Sequence, residues 1–511
     1  MKLLVQFNGY GIAVIAFLTL TLVIGLSSYR LVKKSSARYM VAGKTLPLFF
    51  VGTMLAAQSI DGNASLGAVS LVYQFGFWAG AAIPIGLATC LLFTGLFYGK
   101  RLNQMSLLTL PDFYYRRFGS GPEAITSLIM VISFVILVAG NFAASGLILS
   151  TVFEIDFGLA VVIPALIVLA YTYAGGLFSS AYTDIFQTYL AIFAFWAAFL
   201  FFALGLTGVQ YTTILHTVPS TYLDLSGLIR IKNGALANWA SILALGLGDI
   251  VALDFMERIF ASRDGTTARR SAFMGAALTA LIIIPISMLG ITAVYFLPKL
   301  SDPFTAYPRL AMNLVPFPIG ALLLMGVLGA SMSSANGGLL AISSVISRNL
   351  IQRDIMRGLF KKSAMQNSTL LLTARMCSIP IVISAVILAY AIARPGVYLV
   401  LAFDIVFAGA WTPLTFGLFW KKSNMPAAIT SLVTGSLLRF LLSFVIPPEL
   451  QGLETMIAPA VSSALFILVA LVTQNKYSGY LRSGVVQYVP PERDIVTGDD
   501  LRGYTEPTKD G

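Results

Sequence analysis

Cysteine, histidine and charge are what this chain of 511 residues has least of. Its two cysteines, Cys90 and Cys377, both fall inside apolar stretches, which supports neither a disulfide framework nor a cysteine zinc site. His216 stands alone, so a histidine metal site or a nucleophile–histidine triad has no partners, and no nucleophile elbow occurs. An enzyme is therefore not expected. Only 11% of residues are charged while 57% are hydrophobic, far from the composition of an average soluble domain. The net charge of +11 would suggest nucleic acid in a soluble protein. Here the cations gather between apolar runs, where they face anionic lipid, and no nucleic-acid partner is expected.

What the chain does have is a series of apolar runs of roughly 18–25 residues, the length that crosses a ~30 Å hydrocarbon core as helix. About thirteen spans are expected, over 8–29, 49–75, 79–98, 122–152, 157–174, 183–208, 236–257, 271–297, 312–345, 370–393, 396–420, 425–446 and 456–473. The first run is long and meets a basic stop at Arg30 to Lys34, which reads as a retained helix rather than a cleaved signal. Every second loop is basic: Arg30 to Lys44, Lys100 to Arg117, Arg263 to Arg270, Arg348 to Lys362, and Lys421 with Lys422. The intervening loops hold few cations, Lys299 and Arg394 among them. By the positive-inside rule the amino terminus lies outside and the carboxyl terminus inside a plasma membrane, expected to be a bacterial inner membrane. The tail 474–511 is polar and expected to be poorly ordered.

Two spans carry polar islands at mid-length. The second contains Ala57-Gln58-Ser59-Ile60-Asp61-Gly62-Asn63, and the seventh contains Gly246-Leu247-Gly248-Asp249-Ile250. Broken helices of this kind line the midplane sites of secondary transporters, in corresponding positions of two inverted repeats. Each island lies in the first helix of a five-helix set, and an odd repeat length makes the two sets run oppositely. Small residues also serve simple helix packing, but packing alone does not require the carboxylates Asp61 and Asp249. A third island, Gly329 to Gly338, places Ala330, Ser333 and Ser334 at i, i+3 and i+4, on one helix face. Serines at such positions bond back to their own helix or bridge to another; with carbonyls freed at a break they can also ligate an alkali cation.

The segments Ala57 to Ile60, Tyr173 to Gln187, Glu257-Arg258 with Ala268-Arg269, Gly329 to Ser334, and Gly417 to Lys422 resemble the sodium/solute symporter family in order and spacing. That resemblance implies an all-α integral membrane protein of the LeuT type. Its expected parts are a leading helix and loop (1–48), one five-helix repeat (49–208), a second inverted repeat (236–420), two trailing helices (421–473) and the tail. It further implies a Na+ site built from the carbonyls of Ala57, Ile60 and Ala330 and the hydroxyls of Ser333 and Ser334. Asp184 matches an acid beside that site that assists sodium release. Family members with a second sodium carry serines where this chain has Asn336 and Gly337, a departure that argues for one sodium per cycle.

In that layout Asp61 and Asp249 both face a central cavity, where two carboxylates repel unless a cation compensates them or one is protonated. A cationic or amine-bearing solute (polyamine, choline-like molecule or basic amino acid) meets this need. Ser59, Asn63 and Asn141 are candidate hydrogen-bonding partners, and Trp78, Phe77, Phe255 and Trp411 candidate aromatic faces. A structural ion pair for Asp61 is disfavoured, because Arg439 reads as the only basic residue deep in a late span. Asp254 and Asp404 either approach the pathway or sit in water at helix ends. The competing readings are a symporter of a neutral or anionic solute with Asp61 and Asp249 coupling protons, and a transporter-like sensor. Oligomeric state is not legible.

Overall fold

A computed structural model describes residues 9–360, 365–391 and 397–477. Arg394, Lys361, Lys362 and the tail from 478 onward lie outside the described residues. Within them, nine helices are long and apolar enough to cross a membrane, or ten if one bent pair is a single span. The only departures from helix in hydrogen-bonded structure there are turns and one isolated bridge, Leu46 with Ser262.

Helix α1 (Gly9–Ser27) leads to a basic turn and then to α2 (Leu48–Ser59), α3 (Ala68–Phe75) and α4 (Phe77–Phe93). Next come a short α5 (Pro111–Phe118), α6 (Ser120–Phe153) and α7 (Phe157–Ala203). After an irregular segment follow α8 (Ala235–Gly248), α9 (Leu253–Ala261), α10 (Gly265–Ala280), α11 (Ile283–Phe296) and α12 (Phe317–Val345). The last four are α13 (Asn367–Ala391), α14 (Val397–Phe419), α15 (Met425–Val445) and α16 (Leu453–Tyr477). Side-chain caps start several of them: Asp156 accepts from Gly158 N at 2.9 Å, Asp264 from Thr267 N at 2.8 Å, and Asn424 from Ala427 N at 3.2 Å.

The sequence leads one to expect a loop over 175–182, but α7 runs through it as one bent element. Gly176 makes the bend, with φ 53° and ψ −135°, and a Cβ there would lie 2.5 Å from the Tyr39 carbonyl oxygen. Only glycine meets both demands. Arg375 Nη2 donates at 2.9 Å to the Ala174 carbonyl beside the bend.

The second expected span is broken, as its polar island suggests: α2 ends at Ser59, a π-helical turn covers Asn63–Gly67, and α3 follows. The seventh is broken too, α8 and α9 meeting at 47° across Ala252. Helix α12 lies at the centre against α6 and α7; α2 packs on α10 and α8 packs on α4. The second expected span thus meets the eighth as the third meets the seventh. The start of α2 and the end of α9 lie on one side, because Leu46 N donates to Ala261 O and Arg263 N to Leu46 O, both at 3.1 Å.

Candidate functional site

At the first break, side chains take over amides that a continuous helix would have used, and carbonyls are released in consequence. In a regular helix the Ile60 carbonyl would accept from Ala64 N; instead that amide donates to Asp61 Oδ1 at 2.5 Å. Similarly, Gly62 N, the regular partner of the Gln58 carbonyl, donates to Asn141 Oδ1 at 3.1 Å. The other Asp61 oxygen accepts from Asn63 Nδ2 at 2.9 Å and Asn141 Nδ2 at 3.0 Å. Asp61 therefore caps the restarted helix. Gly62 permits the close approach: a Cβ would fall 2.0 Å from Ser331 Oγ and 2.7 Å from Ala144 Cβ.

Against this break lies the small-residue face of α12. Ser334 Oγ donates to the Ala57 carbonyl at 3.3 Å, and Ser333 Oγ donates to Asp184 Oδ1 at 2.6 Å. Each serine spends its one proton on those bonds and keeps oxygen lone pairs. Ala57, Ile60, Ala330, Ser333 and Ser334 are all buried. The contacts bring the Ala57 carbonyl, the two serine hydroxyls and Asp184 together, oxygen donors of the kind that suit a hard cation.

Asp184 also belongs to a cluster in which the sequence assigned no role to Arg258, Ser180 or Gln58. Arg258 is fully buried, with Nη2 2.7 Å from Ser180 Oγ and 3.4 Å from Asp184 Oδ2, while Nη1 donates at 3.0 Å to its own helix at the Asp254 carbonyl. Ser180 Oγ also reaches Asp184 Oδ2, at 3.0 Å. With its amide turned to satisfy both ends, Gln58 accepts from Arg258 Nη2 at 2.9 Å and donates to Asp254 Oδ2 at 3.2 Å. The available signal was Arg258's position among Met256, Ile259 and Phe260, apart from the loop cations. At Gly337 a Cβ would lie 2.2 Å from the Gln58 side-chain amide and 2.8 Å from Arg258 Nη2, so these groups occupy the space a side chain there would take. Asn336 has its amide oxygen committed to Thr172 Oγ1 at 2.8 Å.

At the second break Asp249 is buried, and neither carboxylate oxygen has a hydrogen-bond partner. Asp61 and Asp254 lie within its electrostatic reach. Asn63 Oδ1 is a further buried acceptor without a donor. Gly248 packs on Phe407, which meets Trp411 with ring centroids 5.9 Å apart, so an aromatic wall borders this break. Phe255 is buried on α9. Ser59 Oγ bonds back to Leu55 O at 3.1 Å.

Trp78 and Asp404 stand differently from the expectations. Trp78 Nε1 donates to Asp224 O at 2.9 Å, which pins the irregular segment between α7 and α8. Twelve residues separate it along α4 from Cys90, the α4 residue within reach of Asp249; that is about 18 Å of helix. Phe77 packs edge-on against Trp78, at 5.2 Å. Asp404 is not solvated at a helix end: it is buried with Arg439 Nη2 at 2.5 Å and Thr455 Oγ1 at 3.0 Å, which ties α14 to α15 and α16.

Residues 39–435 match the model of the sodium:solute symporter family. The human high affinity choline transporter 1 is 27% identical over 454 residues, covering 84% of this chain and 76% of the relative. A sodium/proline symporter of Staphylococcus aureus is 24% identical over 440 residues, covering 83% and 84%. A solved Na+-coupled sialic acid symporter, in a substrate-bound outward-open state, superposes with a TM-score of 0.76 at 18% identity, covering 92% of this chain and 98% of the other. That superposition shows the shared LeuT-type fold.

Proposed function

Because the chain belongs to the sodium:solute symporter family, a family of membrane transporters and not enzymes, we propose that it imports a small amine-bearing cation by coupling its entry to sodium. The observation that carries the sodium half is the Ser334 contact with the Ala57 carbonyl across the first break. It supports a cation seat formed by the carbonyls of Ala57, Ile60 and Ala330 with the hydroxyls of Ser333 and Ser334. Asp184, hydrogen-bonded to Ser333, would receive sodium on its way out. A filled seat holds α2 against α12 and so fixes the break that faces the solute; rocking of the surrounding helices then exposes the site to the other side. Each sodium moved down ~100 mV supplies about 2.3 kcal/mol, roughly forty- to fiftyfold accumulation of a neutral solute. Sodium here is cargo, and the lipid bilayer is the expected surrounding.

For the solute, Asp249 is the main anchor. Its unpaired oxygens, with Asn63 Oδ1, form a buried set of acceptors, which favours a donor-rich cation over an anion or a sugar. Asp61 contributes charge at a distance, since its oxygens are occupied by Ala64, Asn63 and Asn141. Phe407 and Trp411 supply aromatic faces, while Asn141, Ser59 and Phe255 shape the wall. Trp78 stays in this set only as part of an outer vestibule. The choline transporter among the relatives carries a cation by name, and the proline symporter an amino acid.

We count thirteen spans by splitting α7 at Gly176, joining α2 to α3 and α8 to α9, and adding α14. The reciprocal packing of α2 on α10 and α8 on α4 supports two inverted repeats, 49–208 and 236–420. Basic loops place the amino terminus outside.

Uptake by proteoliposomes under an imposed sodium gradient tests the coupling. The Ser333→Ala, Ser334→Ala double variant is expected to lose sodium activation at least tenfold; unchanged activation rejects the seat.

A further inference from the structure

Arg258 carries a positive charge in a place where the transported ion also needs one. Four elements meet on its guanidinium: Gln58 from α2, Ser180 and Asp184 from the second half of α7, its own α9, and the gap above Gly337 on α12. Asp184 is shared between the guanidinium at Oδ2 and the Ser333 hydroxyl at Oδ1, and Ser333 belongs to the proposed sodium seat. The Arg258–Asp184 separation of 3.4 Å, through a single nitrogen, is long beside the ~2.7–2.9 Å of a tight charge-assisted pair. The guanidinium's shorter bonds go to neutral oxygens, Ser180 Oγ at 2.7 Å and Gln58 Oε1 at 2.9 Å. Asp184 is thus held by a cation that can slacken its grip without leaving its pocket.

We propose that Arg258 is a tethered counter-ion that exchanges with transported sodium for Asp184, and thereby sets sodium affinity. A buried carboxylate left without a cation is strongly unfavourable. When sodium departs, the guanidinium closes on Asp184, and that carboxylate stays compensated while the emptied carrier reorients. When sodium arrives, the carboxylate turns toward the seat, and Arg258 rests on Ser180, Gln58 and the Asp254 carbonyl. The exchange rests on the sodium seat proposed above.

Sodium titration of the purified full-length protein, read as thermal stabilisation without solute and at constant ionic strength in potassium chloride, tests this. Removing the competitor in Arg258→Gln is expected to tighten sodium binding about tenfold, equivalent to about 1.4 kcal/mol. Arg258→Lys, which keeps the charge, stays within threefold of wild type. Net uptake by Arg258→Gln falls at least tenfold, while solute exchange with saturating sodium on both sides survives. The proposal is overturned by unchanged or weaker sodium binding in a folded Arg258→Gln protein, by Arg258→Lys behaving like it, or by parallel loss of uptake and exchange. Should Arg258→Gln not fold, Ser180→Ala removes a neutral oxygen on which the guanidinium rests in the sodium-bound state and is expected to weaken sodium binding about threefold; unchanged or tighter binding there overturns the proposal equally. A wild-type protein without any sodium response removes the seat itself, whereas a response that these variants leave untouched removes only the exchange.

Discussion

Asp249→Asn isolates the role of charge at the second break, because it keeps the shape of a side chain whose oxygens have no partner in the protein. At an effective dielectric constant of 20, a solute cation about 4 Å from the carboxylate gains about 4 kcal/mol. Stripping water from both ions takes back part of that, and ~2–4 kcal/mol is the expected net. At 1.4 kcal/mol per tenfold, the variant should bind a cationic solute roughly thirty- to a thousandfold more weakly. Thermal stabilisation of the purified protein by choline and putrescine, each beside its neutral isostere 3,3-dimethylbutanol or 1,4-butanediol, provides the readout. Wild type should prefer a cation over its isostere, and Asp249→Asn should lose that preference while retaining its sodium response. Equal stabilisation of wild type by a cation and its isostere would refute the reasoning, as would a variant with undiminished cation preference. In either case the carboxylate must find its compensation elsewhere, and a proton is the first candidate.

Gly62→Ala forces a Cβ against Ser331 Oγ and Ala144; it is expected to cost about 1–3 kcal/mol, seen as a lower melting temperature that Ser331→Gly partly restores. Arg439→Met leaves Asp404 buried with Thr455 as its hydrogen-bond donor and the Glu454 carboxylate, also an Arg439 partner, nearby, at an expected cost of about 3–5 kcal/mol, whereas Arg439→Met combined with Asp404→Leu costs less; equal melting temperatures for the two would contradict the pairing. Lys44 lies before α2, its ammonium bonded to Asn103 O at 3.0 Å and Ser106 Oγ at 2.9 Å, and burial followed by the Arg116 charge lowers its pKa to about 8. The unfolded chain then binds more protons than the folded one from about pH 8 up to the ordinary lysine range, so thermal stability should gain from this residue as pH rises through that window. A pH–melting curve should show the gain in wild type and a flatter course in Lys44→Met.

The breaks were legible in the sequence because their causes are local: small residues, poor helix formers and a carboxylate inside an apolar run. The serine face of α12 was legible for the same reason, as helical spacing alone puts Ser333 and Ser334 together. What Asp61 does was not legible. Its role depends on Asn141, eighty residues away on α6, and on which amides it captures. Arg258 stood out only as part of the Glu257-Arg258 pair, and its charge contacts were not legible: its partners come from α2 and α7, and no spacing rule connects them. The Asp404–Arg439 pair likewise joins separate helices, so each charge by itself looked like a helix end. Trp78 has the composition of a cage residue, and only the fold of the segment around Asp224 directs its indole away from the breaks.

The short backbone bridge between Leu46 and the residues after α9 yokes the two half-helices at their loop ends. Ordinary side-chain contacts slide, but a pair of main-chain bonds fixes register, so neither half can swing without carrying the other. Release toward that side would then be one stroke of a common lever: the proposed ion seat and solute pocket, hung from opposite arms of the yoke, would lose their grip together. Stoichiometric coupling would follow from carpentry as much as from charge.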